Sequence, residues 1–423
     1  MLFLIGGFLF LIALGFPIVF SMAITSLLYL AVYGIPIITI AQKMVIGIDS
    51  YALLAIPFFI LAGNLMNMGG VTQRLFRFAT AMVGHVPGGL GHANVLASMI
   101  FAGMSGSAVA DAGGLGTIEI KAMTDEGYDI GFSAAVTAAS STIGPIIPPS
   151  IPMVIYASIA NVSVGKLFLA GAVPGILMGL ALMIMIYFVA KRRNYPVHAQ
   201  FSLKEAGISF ADGFLPLLTP VIILGGILGG IFSPTEAAIV ASAWALILGT
   251  VVYKEIKARD LISIVMDTIK TTSMVIYIIS AAAIFGWLLG REQVPQSVAK
   301  LLFSISRDPN VILLIIIVFL LIIGCVMETT AALILLTPIL VPSIIELGID
   351  PVHFGLVMVL DLMIGLLTPP VGVVLYITAS IAKIPFEEMS RVTAPYLIPL
   401  IIVLLISAFI PPVVMTLPNL LIR

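Results

Sequence analysis

Four short interruptions in otherwise apolar sequence carry the groups able to hold an ion. The first is Gly103-Met104-Ser105-Gly106-Ser107, and the second is Thr142-Ile143-Gly144-Pro145-Ile146-Ile147-Pro148-Pro149-Ser150. The third is Gly324-Cys325-Val326-Met327-Glu328-Thr329-Thr330, and the fourth is Gly365-Leu366-Leu367-Thr368-Pro369-Pro370. Proline has no backbone N–H and disfavours helix in the residue before it, so a Pro-Pro pair inside an apolar run frees carbonyl oxygens. In hydrocarbon, unsatisfied carbonyls cost several kcal/mol each. A sodium ion would satisfy them, with the hydroxyls of Ser105, Ser107, Thr329, Thr330 and Thr368 as further oxygen ligands. Helix N-termini opening at the same breaks favour an anionic group. One such break alone would read as a packing kink; four in matched pairs point to ion and anion binding.

Carboxylates at membrane depth are the next signal: Asp111, Glu236, Glu328 and Asp361. Intramembrane carboxylates are expensive and mark ion or proton pathways. Asp111 and Glu328 flank two of the breaks, and Asp361 sits a turn before Gly365. Glu236 follows Ser233-Pro234-Thr235, a helix-start signal that offers it a plain capping role. Arg291 follows Gly290 at the end of an apolar run; it either snorkels to the interface or contacts a substrate carboxylate or a partner protein. The run Gly103-Met104-Ser105-Gly106 has the GxSG spelling of intramembrane serine proteases, but that chemistry needs a histidine base within reach of the serine. His353, the later candidate, falls at the outer end of a span, and the four histidines (His85, His92, His198, His353) are too scattered for a metal site. The single Cys325 excludes a disulfide framework and a cysteine-ligated cluster. No enzyme activity and no organic cofactor are expected.

The elements that must position these groups are membrane helices. Charged residues make up 9% of the 423 residues, hydrophobic residues 61%, and the mean hydropathy is +1.23. A soluble domain carries about 25% charge, and repeated apolar runs of about 20 residues mark a polytopic helical membrane protein. A net charge of −1 with no basic patch excludes a nucleic-acid binder. Spans are expected near 2–33 (one tilted crossing), 50–68, 131–162, 165–190, 214–232, 234–253, 271–290, 352–383 and 395–417. Segments 89–125 and 310–346 each hold two apolar arms around a break and read as re-entrant helical hairpins. Segments 70–85 and 254–270 mix charge with apolar residues and read as interfacial amphipathic helices. Placing Lys191, Arg192 and Arg193 in the cytoplasm puts 13 basic residues there and 6 on the other face, with the N-terminus inside and the C-terminus in the periplasm.

The two halves repeat. At a constant offset of 324 − 103 = 221, Gly103 matches Gly324, Gly127 matches Gly348, Asp129 matches Asp350 and Gly144 matches Gly365. The same offset pairs Pro148-Pro149 with Pro369-Pro370 and Pro174 with Pro395. Five expected spans lie between the hairpins, and an odd number inverts the second copy. Inverted repeats with broken helices are the signature of secondary transporters, whose sites lie where the breaks meet. The fold class is therefore an all-α polytopic membrane protein with two inverted-topology repeats, re-entrant hairpins and broken helices.

At these motifs the chain resembles the large membrane subunit of TRAP (tripartite ATP-independent periplasmic) transporters, the DctM/SiaM-like family. The segments that carry the resemblance are GMSGSAVADAGGLGTIEIKAM, STIGPIIPPSIPMVIYA and GLLTPPVGVVLYI, within a likeness running over essentially the whole chain. The resemblance implies an inner-membrane elevator that couples two or more sodium ions to uptake of organic acids such as sialic acid or C4-dicarboxylates. It implies a periplasmic substrate-binding protein and a small four-helix membrane subunit, separate or fused, as partners. Matching motifs place sodium at Ser105, Ser107, Gly144 and Pro145 in one half, and at Gly324, Thr329, Gly365 and Thr368 in the other. The mobile unit would be 89–174 and 310–394, and the scaffold 1–88, 175–309 and 395–423. A stand-alone sodium/dicarboxylate symporter or an ion exchanger of related inverted-repeat fold is the alternative.

Overall fold

The computed structural model describes residues 2–197 and 201–422; His198 and Arg423 lie outside the described residues. It is helical throughout that range, and eight helices are long and apolar enough to cross a membrane. The first hairpin rises through Gly89–Ser105, turns at Gly106-Ser107 and returns through 108–125, with a π-helical turn over Asp111–Leu115. The second rises through Pro309–Val326, turns at Met327-Glu328 and returns through Thr329–Glu346. The turns are two residues each, narrower than the expected breaks, because Gly103 and Gly324 remain helical. Each returning arm is N-capped at the tip: Ser107 Oγ accepts from the Ala110 N–H, and the Glu328 carboxylate accepts from the Ala331 N–H.

The 221-residue offset holds for elements as well as residues. Ile130–Ser141 and Ile151–Ala160 match Pro351–Gly365 and Val373–Ala382, so each half has a helix broken at its proline pair. Both proline pairs are cis. Gly127 and Gly348 are left-handed (φ +86° and +75°) and stop the hairpin arms, and Asp129 and Asp350 cap the next helix. Val71–Val83 matches Val294–Ile305, and the start of Val164–Arg193 matches Phe386–Phe409.

The halves are inverted about the helix Val164–Arg193, which at 30 residues is about 45 Å long. At its far end Arg193 lies 3.7 Å from Asp129, beside the open end of the first hairpin. At its near end, Tyr156, four residues before the end of the preceding helix, donates to the Pro351 carbonyl (2.7 Å), where the second hairpin has just closed.

Several segments differ from expectation. Segment 2–33 is two helices, Leu2–Ala13 and Ile18–Val32, folded back on each other at Gly15 (φ +87°) and Pro17. A Cβ at Gly7 would lie 3.2 Å from Thr25, which one straight helix forbids. Phe3 then packs on Tyr29 (ring centroids 6.4 Å), and the Tyr29 hydroxyl donates to Glu292. The N-terminal end thus shares a face with Arg291, so a cytoplasmic N-terminus and an outer Arg291 cannot both hold. Segments 254–270 and 271–290 are one helix, Ala258–Arg291, since nothing breaks it: it holds no proline, and its first glycine is Gly286. Segment 395–417 is instead Phe386–Phe409 and Pro411–Leu421, separated at Pro411-Pro412. Two further helices, Ile38–Ile48 and Val294–Ile305, occupy stretches expected to be loops.

The amphipathic arm Val71–Val83 exists and is tied to Leu203–Leu228 by Arg74–Asp212 (3.3 Å) and Arg77–Glu205 (2.8 Å). These pairs are partly exposed and fix register more than they stabilise.

Candidate functional site

Both hairpin tips open into one cavity of about 500 Å³. The first half contributes Ser105, Gly106, Ser107, Ala108, Pro145, Ile151 and Pro152 to its wall. The second half contributes Glu328, Thr329, Thr330, Met363 and Leu366. The opposite wall is Gly63 and Asn64 of Ala55–Met68, with Thr271, Met274 and Val275 of the long helix Ala258–Arg291. The cavity therefore lies between the hairpin elements and the helices outside them.

In the first half the tip is pressed onto the broken helix. Gly106 is left-handed (φ +60°), and a Cβ there would stand 2.5 Å from the Pro149 carbonyl oxygen, so only glycine fits. Gly144 faces the Ser107 backbone, where a Cβ would be 3.5 Å from its carbonyl. Ser105 Oγ accepts from the Ser107 N–H (3.5 Å), and Ser150 Oγ donates to the Pro145 carbonyl (2.5 Å). Ser105, Ser107, Gly144 and Pro145 are thus one cluster of oxygens and close backbone.

The second half repeats the arrangement. A Cβ on Gly365 would stand 2.6 Å from the Gly324 backbone, so the hairpin arm and broken helix touch main chain to main chain. Thr368 Oγ1 donates to the Gly365 carbonyl (2.8 Å) and lies 3.0 Å from Cys325 Sγ. Thr329 Oγ1 is buried (2% exposed) with no hydrogen-bond partner. A buried hydroxyl orphaned at the hairpin tip is a position that a bound cation would satisfy. Gly324, Gly365 and Thr368 are therefore brought together around the second break, with Thr329 at the hairpin tip beside the cavity.

The carboxylates divide. Glu328 is exposed to the cavity, where it also accepts from Thr330 Oγ1 (2.9 Å). Asp361 is fully buried inside Pro351–Gly365 with neither oxygen hydrogen-bonded, and does not line the cavity. Asp111 is buried inside the first hairpin one turn past the tip, its N–H donating to the Ser107 carbonyl (3.1 Å), and does not line the cavity. Glu236 closes a capping box with Ser233, and Arg291 lies over Trp287 (6.0 Å); neither reaches the cavity. His353 Nε2 is held by the Ser407 carbonyl (2.8 Å) and lines no wall shared with Ser105, so no serine–histidine pair forms there. Sequence reading missed Glu119, which is fully buried with both oxygens unpaired. The signal was available: eight residues after Asp111, it returns to a neighbouring face of the same helical arm.

Comparison with known proteins decides the family. Residues 5–413 match the family described as the tripartite ATP-independent periplasmic transporter, DctM component. The chain belongs to this family. It is 48% identical over 98% of both chains to a Vibrio cholerae protein named the sialic acid TRAP transporter large permease SiaM. It is 42% identical over 97% of its length to the Haemophilus influenzae sialic acid TRAP transporter permease SiaT, of which it covers 67%. In fold it resembles the YdaH transporter of Alcanivorax borkumensis, with a TM-score of 0.66 over 88% of this chain and 87% of the other, at 14% identity. The DctM-family chain is thus a multi-pass membrane permease and not an enzyme.

Proposed function

We propose that this DctM-family permease is the large subunit of a sodium-coupled importer of organic acids, most favourably a sialic acid, in the bacterial inner membrane. The observation that carries the reading is the shared cavity. Two symmetry-related hairpin tips, each with hydroxyls, meet there with residues of both broken helices against helices from outside the repeats' hairpins. Two sodium ions at these breaks supply positive charge to a cavity that has none of its own, since no Lys, Arg or His lines it among the described residues. The helix starts behind Ser107 and Ser150 add their N-terminal dipoles for a substrate carboxylate.

Glu328 favours one substrate class. An exposed carboxylate in the wall repels a second substrate carboxylate but accepts hydrogen bonds from hydroxyl and amide donors. A bulky polyhydroxylated monocarboxylate suits this wall and the roughly 500 Å³ volume better than a C4-dicarboxylate. The names of the sialic acid relatives support the same choice. A third of SiaT lies outside the matched region, which also supports a small membrane subunit that is fused in some relatives and separate in others.

Transport proceeds by an elevator: 89–174 and 310–394 move as one body against the remaining helices, carrying the cavity's inner wall. A periplasmic binding protein delivers the acid. The outer face is the one holding Arg291, Glu292 and the N-terminal end, and the Lys191–Arg193 cluster faces the cytoplasm.

Ser105→Ala and Thr368→Ala each remove one hard oxygen from a separate sodium site. Each is expected to raise the sodium concentration for half-maximal uptake by the reconstituted complex. Unchanged sodium dependence in both removes these side chains from the sites.

A further inference from the structure

The first hairpin and the helix after it enclose a second polar interior that the cavity does not reach. Asn94 and Ser98 project from Gly89–Ser105, Asp111 and Glu119 from the returning arm, and Thr137 and Ser140 from Ile130–Ser141. All but Glu119 are joined by hydrogen bonds across the three helices. Asn94 Nδ2 donates to Thr137 Oγ1 (2.7 Å), Ser140 Oγ donates to Asn94 Oδ1 (2.7 Å), and Ser98 Oγ lies 3.1 Å from Ser140 Oγ. Ser98 Oγ reaches Asp111 Oδ1 only at 3.4 Å. Asp111 is 1% exposed and Glu119 is fully buried, yet Asp111 Oδ2 and both Glu119 oxygens have no hydrogen-bond partner. Asp111 and Glu119 lie eight residues apart on the same returning arm, both buried. Among the described residues no lysine or arginine pairs with either. Two buried carboxyls on one arm with no counter-charge are neutral only by holding a proton or by sharing a bound cation.

The second half shows that packing does not require this set. At the 221-residue offset the same positions hold Ile315, Phe319, Ala332, Leu340 and Met358 for Asn94, Ser98, Asp111, Glu119 and Thr137, while Ser140 matches Asp361, itself buried and unpaired. The matched hairpin arms are apolar at these positions, so neither needs a carboxylate to fold, and the one carboxylate among the matched positions, Asp361, sits on the helix after them. The polar interior also sits at the π-helical turn Asp111–Leu115, a feature that recurs at functional sites.

We propose that this interior is a further coupling site, where Asp111 and Glu119 supply charge and Ser98, Ser140 and Asn94 neutral oxygens to a sodium ion that travels with the first hairpin. It rests on the sodium-coupled reading above and adds an ion to the two at the breaks.

The test is the number of sodium ions moved per substrate, read from the membrane potential at which net uptake by the full complex in proteoliposomes reverses. Asp111→Asn and Glu119→Gln are each expected to lower that number by one. Ser98→Ala is expected to keep it and to raise the sodium concentration for half-maximal uptake. Should Asp111→Asn not assemble, the count on Glu119→Gln decides. An unchanged count overturns the inference. So does a variant that loses dependence on an imposed pH gradient with its sodium count intact, since the site then carries a proton. Absence of any sodium-driven uptake by the unaltered complex instead removes the parent reading.

Discussion

Gly365→Ala weakens the apparent sodium affinity of uptake by roughly tenfold to a hundredfold. The added Cβ would stand 2.6 Å from both the carbonyl carbon and the Cα of Gly324. Those atoms are main chain within a helix, so no side-chain rotation relieves the contact. The second hairpin arm must move off the broken helix, and overpacking of this kind costs about 1–3 kcal/mol. The displacement opens the space between Thr329, Thr368 and the freed carbonyls, so it is felt as weaker ion binding. The control is Gly290→Ala, where a Cβ meets nothing within 4 Å. Equal sodium dependence in the two variants would contradict the close main-chain contact as the frame of the second ion site.

A disulfide between cysteines at Gly63 and Ser105 stops transport, and reduction restores it. A Cβ at Gly63 would lie 3.5 Å from the Ser105 Cβ, at the short end of the disulfide range. Gly63 belongs to Ala55–Met68, outside the hairpins, and Ser105 to the first hairpin tip. The bond therefore joins the two bodies that an elevator must slide past each other. Uptake is measured at saturating sodium, against Ser105→Cys alone, because Ser105 is itself a proposed ligand. Undiminished uptake after the bond is shown to have formed would contradict relative movement of these bodies.

How legible this was in the sequence depends on what a residue type signals locally. The hairpin tips were legible because glycine and serine interrupt long apolar arms, and the proline pairs because nothing else explains them mid-run. The offset of 221 was legible because Gly127 with Gly348 and Asp129 with Asp350 do the same backbone work, stopping one helix and capping the next. The join of 254–270 to 271–290 was hidden by charge. Lys270 ends a charged stretch, but a helix continues through a change of solvent unless something breaks it. Segment 2–33 misled in the opposite way: its length suggested tilt, while Gly15 and Pro17 already held the turn. Glu119 was concealed by its neighbours, since Lys121 on the same arm is exposed and gives the stretch an amphipathic look. The distance from Glu236 and Arg291 to the cavity is a tertiary fact that no spacing in the sequence encodes.

The most direct measurement of the central claim is uptake of radiolabelled sialic acid into proteoliposomes of the full membrane complex, with and without an inward sodium gradient and with and without the cognate binding protein. The account predicts accumulation only when both are present. Accumulation without sodium, or by the membrane complex without the binding protein, would contradict it.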